Sequence, residues 1–148
     1  MEKQKLSAKE TIIQVVKFVA FSMGAGIIQT VTFTLLNEIA HFDYWISYLV
    51  ALVLSVLYNF TVNRRYTFKS ATNVPVAMLK VAIYYLIFTP VSTYLGNMAE
   101  NAGVNEYIVL AVTMLCNMVT EFLVCRFWVY GKSINTNDIA KKDKEKTK

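Results

Sequence analysis

The stretch YNFTVNRRYTF, residues 58–68, joins a long apolar run to a cluster of positive charge. About twenty mostly apolar residues precede it, which is enough for one membrane crossing. Residues four apart lie on the same face of a helix, so Ser55, Asn59 and Asn63 form one polar stripe that ends beside Arg64. This pattern is typical of the inner end of a membrane helix.

A weaker copy of this stretch occurs 62 residues further along the chain. The shift aligns the polar stripe, the arginine and the aromatic rings of the two copies: Ser55 with Asn117, Asn59 with Glu121, Asn63 with Cys125, Arg64 with Arg126, Tyr66 with Trp128 and Phe68 with Tyr130. The sequence therefore predicts two related halves, each of which closes on a polar helix face and an arginine.

The hydrophobic residues make up 55% of the 148-residue chain and lie mainly in four runs. These runs are residues 18–39, 44–62, 78–98 and 107–127. At about 19 to 22 residues, each can cross about 30 Å of hydrocarbon as a helix. The sequence predicts an all-α membrane protein with four transmembrane helices, arranged as two tandem two-helix repeats.

All basic residues lie in segments that would be on the same side of a membrane crossed by the four runs. All fifteen lie in residues 3–17, 64–80 and 126–148, whereas the two remaining loops, residues 40–43 and 99–106, contain none. Lys and Arg near span ends accumulate on the cytoplasmic side, so we expect a multi-pass protein of the cell membrane with both termini cytoplasmic. The net charge of +5 then reports topology and contact with the lipid bilayer, and nucleic acid is not an expected partner.

Three segments are expected. Residues 1–16 form a cytoplasmic or interfacial lead-in, in which Ser7 and Glu10 fit a capping box at the start of a short helix. Residues 17–131 form the four-helix transmembrane domain. Residues 132–148 contain almost no apolar side chains and are expected to be a disordered cytoplasmic tail.

Two further features bear on helix packing. Small residues spaced by four in the first run, Ala20 with Gly24 and Ser22 with Gly26, predict a close approach by another helix. Pro90 lacks the amide that would bond to the carbonyl of residue 86, so the third span is expected to kink there, as an ordinary membrane helix or as one that lines a substrate site.

The sequence contains no recognisable catalytic or metal-binding set. Cys116 and Cys125 lie nine residues apart on one span, too far for a disulfide within a straight helix, and His41 is the single histidine. No nucleophile and base, no paired carboxylates and no metal-ligand spacing stand out. We therefore expect no catalytic residue, no metal and no cofactor, and we do not expect an enzyme.

Four short spans in two halves, the block NFTVNRRYTF at residues 59–68 and its echo EFLVCRFWVY at residues 121–130 together resemble the GtrA-like family. The resemblance covers about residues 17–132, and the family motif falls on Asn59, Asn63, Arg64 and Phe68. It implies translocation, or flipping, of an undecaprenyl-phosphate-linked sugar across the cytoplasmic membrane for glycosylation of a cell-wall polymer. The length and lysine-rich tail look more like the teichoic-acid glycosylation proteins. The second half departs from the motif at Glu121 and Cys125.

The residues themselves suit that role. A sugar hydroxyl costs roughly 2 to 7 kcal/mol to strip of water, and polar side chains in the membrane offset this cost. Arginine offers paired donors that match phosphate oxygens. The candidates for binding the lipid phosphate and sugar are Asn59, Asn63, Arg64, Arg65, Asn117, Glu121 and Arg126, and weaker candidates are Ser55, Phe68, Lys80 and Gln29.

Glu121 has two interpretations. Apart from Glu38 at the very end of the first run, it is the single acidic residue within an apolar run, which makes it a functional candidate. In the second interpretation, which has equal weight, it forms a structural ion pair with Arg126 or with an arginine of the other half.

The expected partners are the lipid-linked sugar and membrane glycosyltransferases, and a homodimer is compatible with spans that bury little of their own surface. An alternative function is a membrane anchor that recruits a glycosyltransferase through its basic face. A small multidrug exporter is a second alternative, but the strong one-sided charge and the position of Glu121 near a span end count against it.

Overall fold

The computed structural model describes residues 6–147, which fold into five α-helices with no β-strand among them. The helices are α1 (Ala8–Thr34), α2 (Tyr44–Val62), α3 (Val74–Asn101), α4 (Glu106–Val124) and α5 (Asp138–Lys146). Three of them continue directly into a five-residue π-helical turn: α1 into Leu35–Ile39, α2 into Asn63–Thr67 and α4 into Cys125–Val129.

The first four helices are long and apolar enough to cross a membrane. With their π-helical turns they span Ala8–Ile39, Tyr44–Thr67, Val74–Asn101 and Glu106–Val129. Most of their large apolar side chains are exposed on the protein surface, as expected for side chains that face lipid. The predicted all-α membrane fold with four spans is confirmed.

The tandem repeat is visible in the helix bounds. Both ends of α2 and of its π-helical turn are shifted by 62 residues from the corresponding ends of α4 and its turn. Matching positions are also buried in both halves: Phe60 and Phe122, Asn63 and Cys125, Thr67 and Val129, Phe68 and Tyr130. The predicted division into two related two-helix halves is therefore confirmed.

The start of α1 confirms one prediction and modifies another. The Ser7 hydroxyl accepts a hydrogen bond from the Glu10 amide at 3.2 Å, and the Glu10 carboxylate accepts one from the Ser7 amide at 2.8 Å, which is the predicted capping box. The helix then runs to Thr34 without interruption, because residues 8–17 contain neither proline nor glycine. The predicted short lead-in helix is thus the first part of α1. Residues 1–5, with Lys3 and Lys5, lie outside the described residues.

The chain forms two compact units. The first contains α1 and α2 as a helical hairpin, together with the segment from Asn135 onward, and the second is Thr72–Ile134, with α3 and α4 as a hairpin. In the first hairpin a Cβ at Gly24 would meet the Tyr58 hydroxyl at 3.0 Å, so glycine permits the close approach predicted there. A Cβ at Gly26 would meet no described atom within 4 Å, so this position does not serve helix contact in the hairpin.

In the second hairpin, α3 starts with Pro75 in its first turn, where the missing amide leaves no hydrogen bond unmade. The helix continues through Pro90 without ending, and the Ser92 hydroxyl donates to the Thr89 carbonyl at 3.1 Å. The predicted bend at Pro90 stays a prediction.

The C-terminal segment differs from the predicted disordered tail. The amides of Asn135, Thr136 and Asn137 donate to the carbonyls of Phe68 and Lys69 at 2.9 to 3.0 Å, and α5 follows. The prediction of disorder rests on the low content of apolar side chains, whereas this segment is ordered mainly by hydrogen bonds to the end of the first hairpin. The division at residue 131 into a domain and a tail therefore differs from the units in the structure, because α5 belongs to the first unit.

Candidate functional site

A row of hydrogen-bonded polar side chains runs along the interface of α1 and α2, and we call it the first polar track. It consists of four contacts: Ser55 Oγ to Gln29 Oε1 at 3.5 Å, Ser22 Oγ to Asn59 Oδ1 at 3.3 Å, Asn63 Nδ2 to Asn59 Oδ1 at 2.7 Å and Thr67 Oγ1 to Asn63 Oδ1 at 2.7 Å. Ser55, Asn63 and Thr67 are buried. The predicted stripe of Ser55, Asn59 and Asn63 thus forms, and it extends to Thr67.

The second hairpin contains a different set of polar contacts, the second polar track. Its members are Tyr84, Tyr85, Asn117, Thr120 and Glu121. The Tyr84 hydroxyl lies 3.0 Å from Asn117 Oδ1 and 2.7 Å from Thr120 Oγ1, and the Tyr85 hydroxyl donates to Glu121 Oε2 at 2.9 Å. The second track ends at Glu121, because Cys125 occupies the position that corresponds to Asn63.

The two tracks share one pair of positions. Asn59 and Glu121 are 62 residues apart, and their partners Ser22 and Tyr85 are 63 residues apart. A contact between the short side chains of Ser22 and Asn59 in the first hairpin is therefore replaced in the second by a contact between the longer side chains of Tyr85 and Glu121. This substitution brings a carboxyl group and two phenol rings into the second track, with Tyr84 and Tyr85 5.1 Å apart between ring centroids.

A lysine lies against the π-helical end of each hairpin. Lys17 Nζ donates to the Tyr66 carbonyl at 3.5 Å, and Lys80 Nζ donates to the Trp128 carbonyl at 3.3 Å. Lys80 also lies 5.8 Å from the centroid of the Trp128 ring. Helix C-terminal carbonyls attract cations, so these lysines stabilise the turns that hold the arginines.

The arginines lie at the same ends. Arg65 and Arg126 each lie over the ring of the following residue, at 5.7 Å from Tyr66 and 5.6 Å from Phe127. Arg64 and Arg65 border a polar cleft at the end of the first hairpin. We call this the basic end of the first hairpin.

The structure gathers most of the sequence candidates into these tracks and basic ends, but it changes the role of two. Phe68 is fully buried and packs edge to face on Phe18, at 6.2 Å between ring centroids, so it is a core residue of the first unit. Glu121 is 8% exposed, and its side-chain hydrogen bond among the described residues is to the Tyr85 hydroxyl and not to an arginine, which is one of the partners that the sequence suggests.

Sequence inspection missed the residues that face the stripes from α1 and α3. Ser22 was visible only as a small residue, and Tyr84 and Tyr85 did not stand out among the aromatic residues. A signal for them existed, because Lys17 and Lys80 are 63 residues apart and the same shift places Tyr85 on Ser22.

The geometry defines an all-α membrane protein of two hairpins, each with a polar track that leads to a basic end. Residues 17–130 match the family model described as GtrA/DPMS, transmembrane domain. The match covers most of the chain, so the chain belongs to this family, and the predicted resemblance is confirmed.

The family comprises membrane flippases for polyprenyl-phosphate-linked sugars, and its members are generally flippases and not catalysts. A comparison with curated proteins gave no match, and neither did a comparison with solved structures.

Proposed function

We propose that the chain carries an undecaprenyl-phosphate-linked sugar from the inner to the outer leaflet of the cytoplasmic membrane. The sugar then serves glycosylation of a cell-wall polymer, teichoic acid or a similar polysaccharide. The observation that carries this proposal is the first polar track, a row of hydroxyl and amide groups between two helices that are apolar enough to cross a membrane.

The track supports transport because it offsets the main barrier to crossing. Moving one sugar hydroxyl out of water without a new hydrogen-bond partner costs roughly 2 to 7 kcal/mol of free energy. Asn59 and Asn63 present amide groups that both donate and accept, so they can exchange the hydrogen bond between them for bonds to a sugar. The second track offers the Glu121 carboxyl group and the Tyr85 hydroxyl for the same purpose.

The basic ends support binding of the lipid phosphate. Arg64, Arg65 and Arg126 carry forked donors that fit phosphate oxygens. In the proposed orientation both termini are cytoplasmic, so these arginines lie at the inner leaflet. Membrane glycosyltransferases are the proposed partners, one that makes the lipid-linked sugar inside and one that uses it outside, and a homodimer fits the exposed apolar faces of the spans.

Deleting the gene tests this function. The external polymer should lose one sugar substituent and keep its backbone, while the lipid-linked sugar accumulates on the inner leaflet because the enzyme that makes it still works. Asn59→Ala should reproduce the loss, and Glu121→Gln should reproduce most of it. Thr30→Ala is the matched control, because Thr30 is an exposed polar residue of the same hairpin whose hydroxyl bonds to the carbonyl of Gly26.

An anchor for a glycosyltransferase would give the opposite result for the lipid. Deletion would then lower the synthesis of the lipid-linked sugar, so the intermediate would fall. Asn59→Ala would also be tolerated, because recruitment through a basic surface does not need the polar track.

A further inference from the structure

A polar cleft of about 300 Å³ lies between the basic end of the first hairpin and the beginning of α5. We call it the tail cleft. Its walls come from two distant parts of the sequence, residues 64–71 and residues 136–141, within the same unit. Its volume is at the lower end of the range of small-molecule sites, about 300 to 1,000 Å³. The cleft therefore has room for a small charged group.

The side chains around the cleft favour an anion. Three basic residues line it, Arg64, Arg65 and Lys141, against one acidic residue, Asp138. Thr136 and Asn137 add polar groups to the same walls. A phosphate group is the anion that best suits paired guanidinium groups and an ammonium group together.

The two walls are joined to each other by hydrogen bonds. Asn137 Nδ2 donates to the Arg65 carbonyl at 2.8 Å, and the Ala71 amide donates to Thr136 Oγ1 at 3.0 Å. Lys69 Nζ also contacts Asp143 Oδ2 of α5 at 2.5 Å. A site whose walls are already held in place loses less conformational freedom on binding.

We propose that the tail cleft binds the phosphate group of a polyprenyl-phosphate lipid, and that Lys141 of α5 supplies a cation beside Arg64 and Arg65. The proposal rests on the proposed function and deepens it, because it assigns a binding residue to the C-terminal segment. A free phosphate ion shares this chemistry, so the two ligands must be distinguished by their apolar part.

The test measures binding to the purified full-length protein in phosphatidylcholine nanodiscs. Farnesyl phosphate is the probe for a lipid phosphate, inorganic phosphate is the probe for the free ion, and farnesol is the same chain without phosphate. Lys141→Gln should weaken binding of farnesyl phosphate about three- to tenfold, and Lys141→Arg should restore most of it. Farnesol should not respond to either variant.

The matched control is Lys142→Gln. It removes the same charge one residue further along α5, at a side chain that is exposed and does not line the cleft. It should change the dissociation constant by less than about twofold, because an exposed charge at a distance is screened by salt.

Three results would overturn the inference. They are an equal effect of Lys141→Gln and Lys142→Gln, no effect of either, and binding of inorganic phosphate as tight as that of farnesyl phosphate. The assay measures binding and not transport. The inference about the tail cleft can therefore fail while the proposed function holds. A deletion strain that accumulates the lipid-linked sugar, combined with an insensitive Lys141, would reject the tail cleft alone.

Discussion

Arg64 is the residue after Asn63, a member of the first polar track, and it also lines the tail cleft. A guanidinium group bonds to two phosphate oxygens at once, whereas an ammonium group acts as a point charge. We expect Arg64→Ala and Arg126→Ala each to abolish sugar transfer while the protein stays inserted, and Arg64→Lys to restore only part of it. The sugar content of the external polymer measures this. Full activity of Arg64→Lys would contradict the forked contact with phosphate and would show that the positive charge only sets the orientation of the protein in the membrane.

Tyr85 and Glu121 form one contact, so their variants should not act independently. The hydroxyl donates to the carboxyl group at 2.9 Å inside the second hairpin. We expect Tyr85→Phe and Glu121→Gln each to lower sugar transfer roughly tenfold, and the double variant to be little worse than either, because residues in one hydrogen bond are coupled. Tyr94→Phe is the control, since Tyr94 is an exposed residue of the same helix. Losses that multiply in the double variant would contradict a shared role.

At the scale of elements, α5 is attached to the first hairpin by an ion pair whose charge depends on pH. The Lys69 ammonium, which donates to Asp143, holds the pKa of that carboxyl below its ordinary value. A lowered pKa means that the ion pair contributes fully above the ordinary pKa and is lost as the pH falls through the lowered one. Attachment of α5 should therefore be constant between about pH 6 and pH 8 and weaken only below about pH 4.

Fluorescence anisotropy of a probe at the C-terminal end of α5 measures this attachment. Asp143→Asn should raise the mobility of the probe at neutral pH and abolish the acid transition. Glu145→Gln, which removes an exposed acidic residue of the same helix, should leave the transition in place. A transition near pH 6 in the unaltered protein would contradict the assignment to Asp143.

The elements that sequence predicts well are those whose signal is apolar content and spacing. The four spans are predicted by the runs of hydrophobic residues. The repeat is predicted by the 62-residue shift in the sequence, and the bounds of α2 and α4 differ by the same 62 residues. The order of the C-terminal segment could not be predicted in this way. It depends on amides of residues 135–137 that bond to carbonyls of Phe68 and Lys69, and backbone hydrogen bonds leave little trace in composition.

The candidate site was predicted in part for a similar physical reason. Spacing within one helix shows which residues share a face, so the stripe of Asn59 and Asn63 could be found from the sequence. It does not show what faces them from another helix. Ser22 and Tyr85 were therefore found only when the packing of each hairpin was known.

At the scale of the whole molecule, the one-sided distribution of basic residues predicts a single topology. Reporter fusions after Lys69 and Lys148 should be cytoplasmic, and fusions at Asp43 and Asn101 should be external. Moving the charge bias, by adding lysines to the loop at residues 40–43, should lower insertion in this orientation. Mixed signals at any one site of the unaltered chain would contradict a fixed topology and favour the dual insertion known for small exporters.

Transport itself is measured most directly with the purified chain in proteoliposomes. A polyprenyl-phosphate-linked sugar is placed in both leaflets, and the fraction that becomes accessible to an external sugar-modifying reagent is followed with time. The unaltered chain and Thr30→Ala should expose the inner pool much faster than protein-free liposomes do, whereas Asn59→Ala and Arg64→Ala should not. If the unaltered chain leaves the inner pool as protected as it is in protein-free liposomes, the chain alone does not flip the lipid, and the central claim is contradicted.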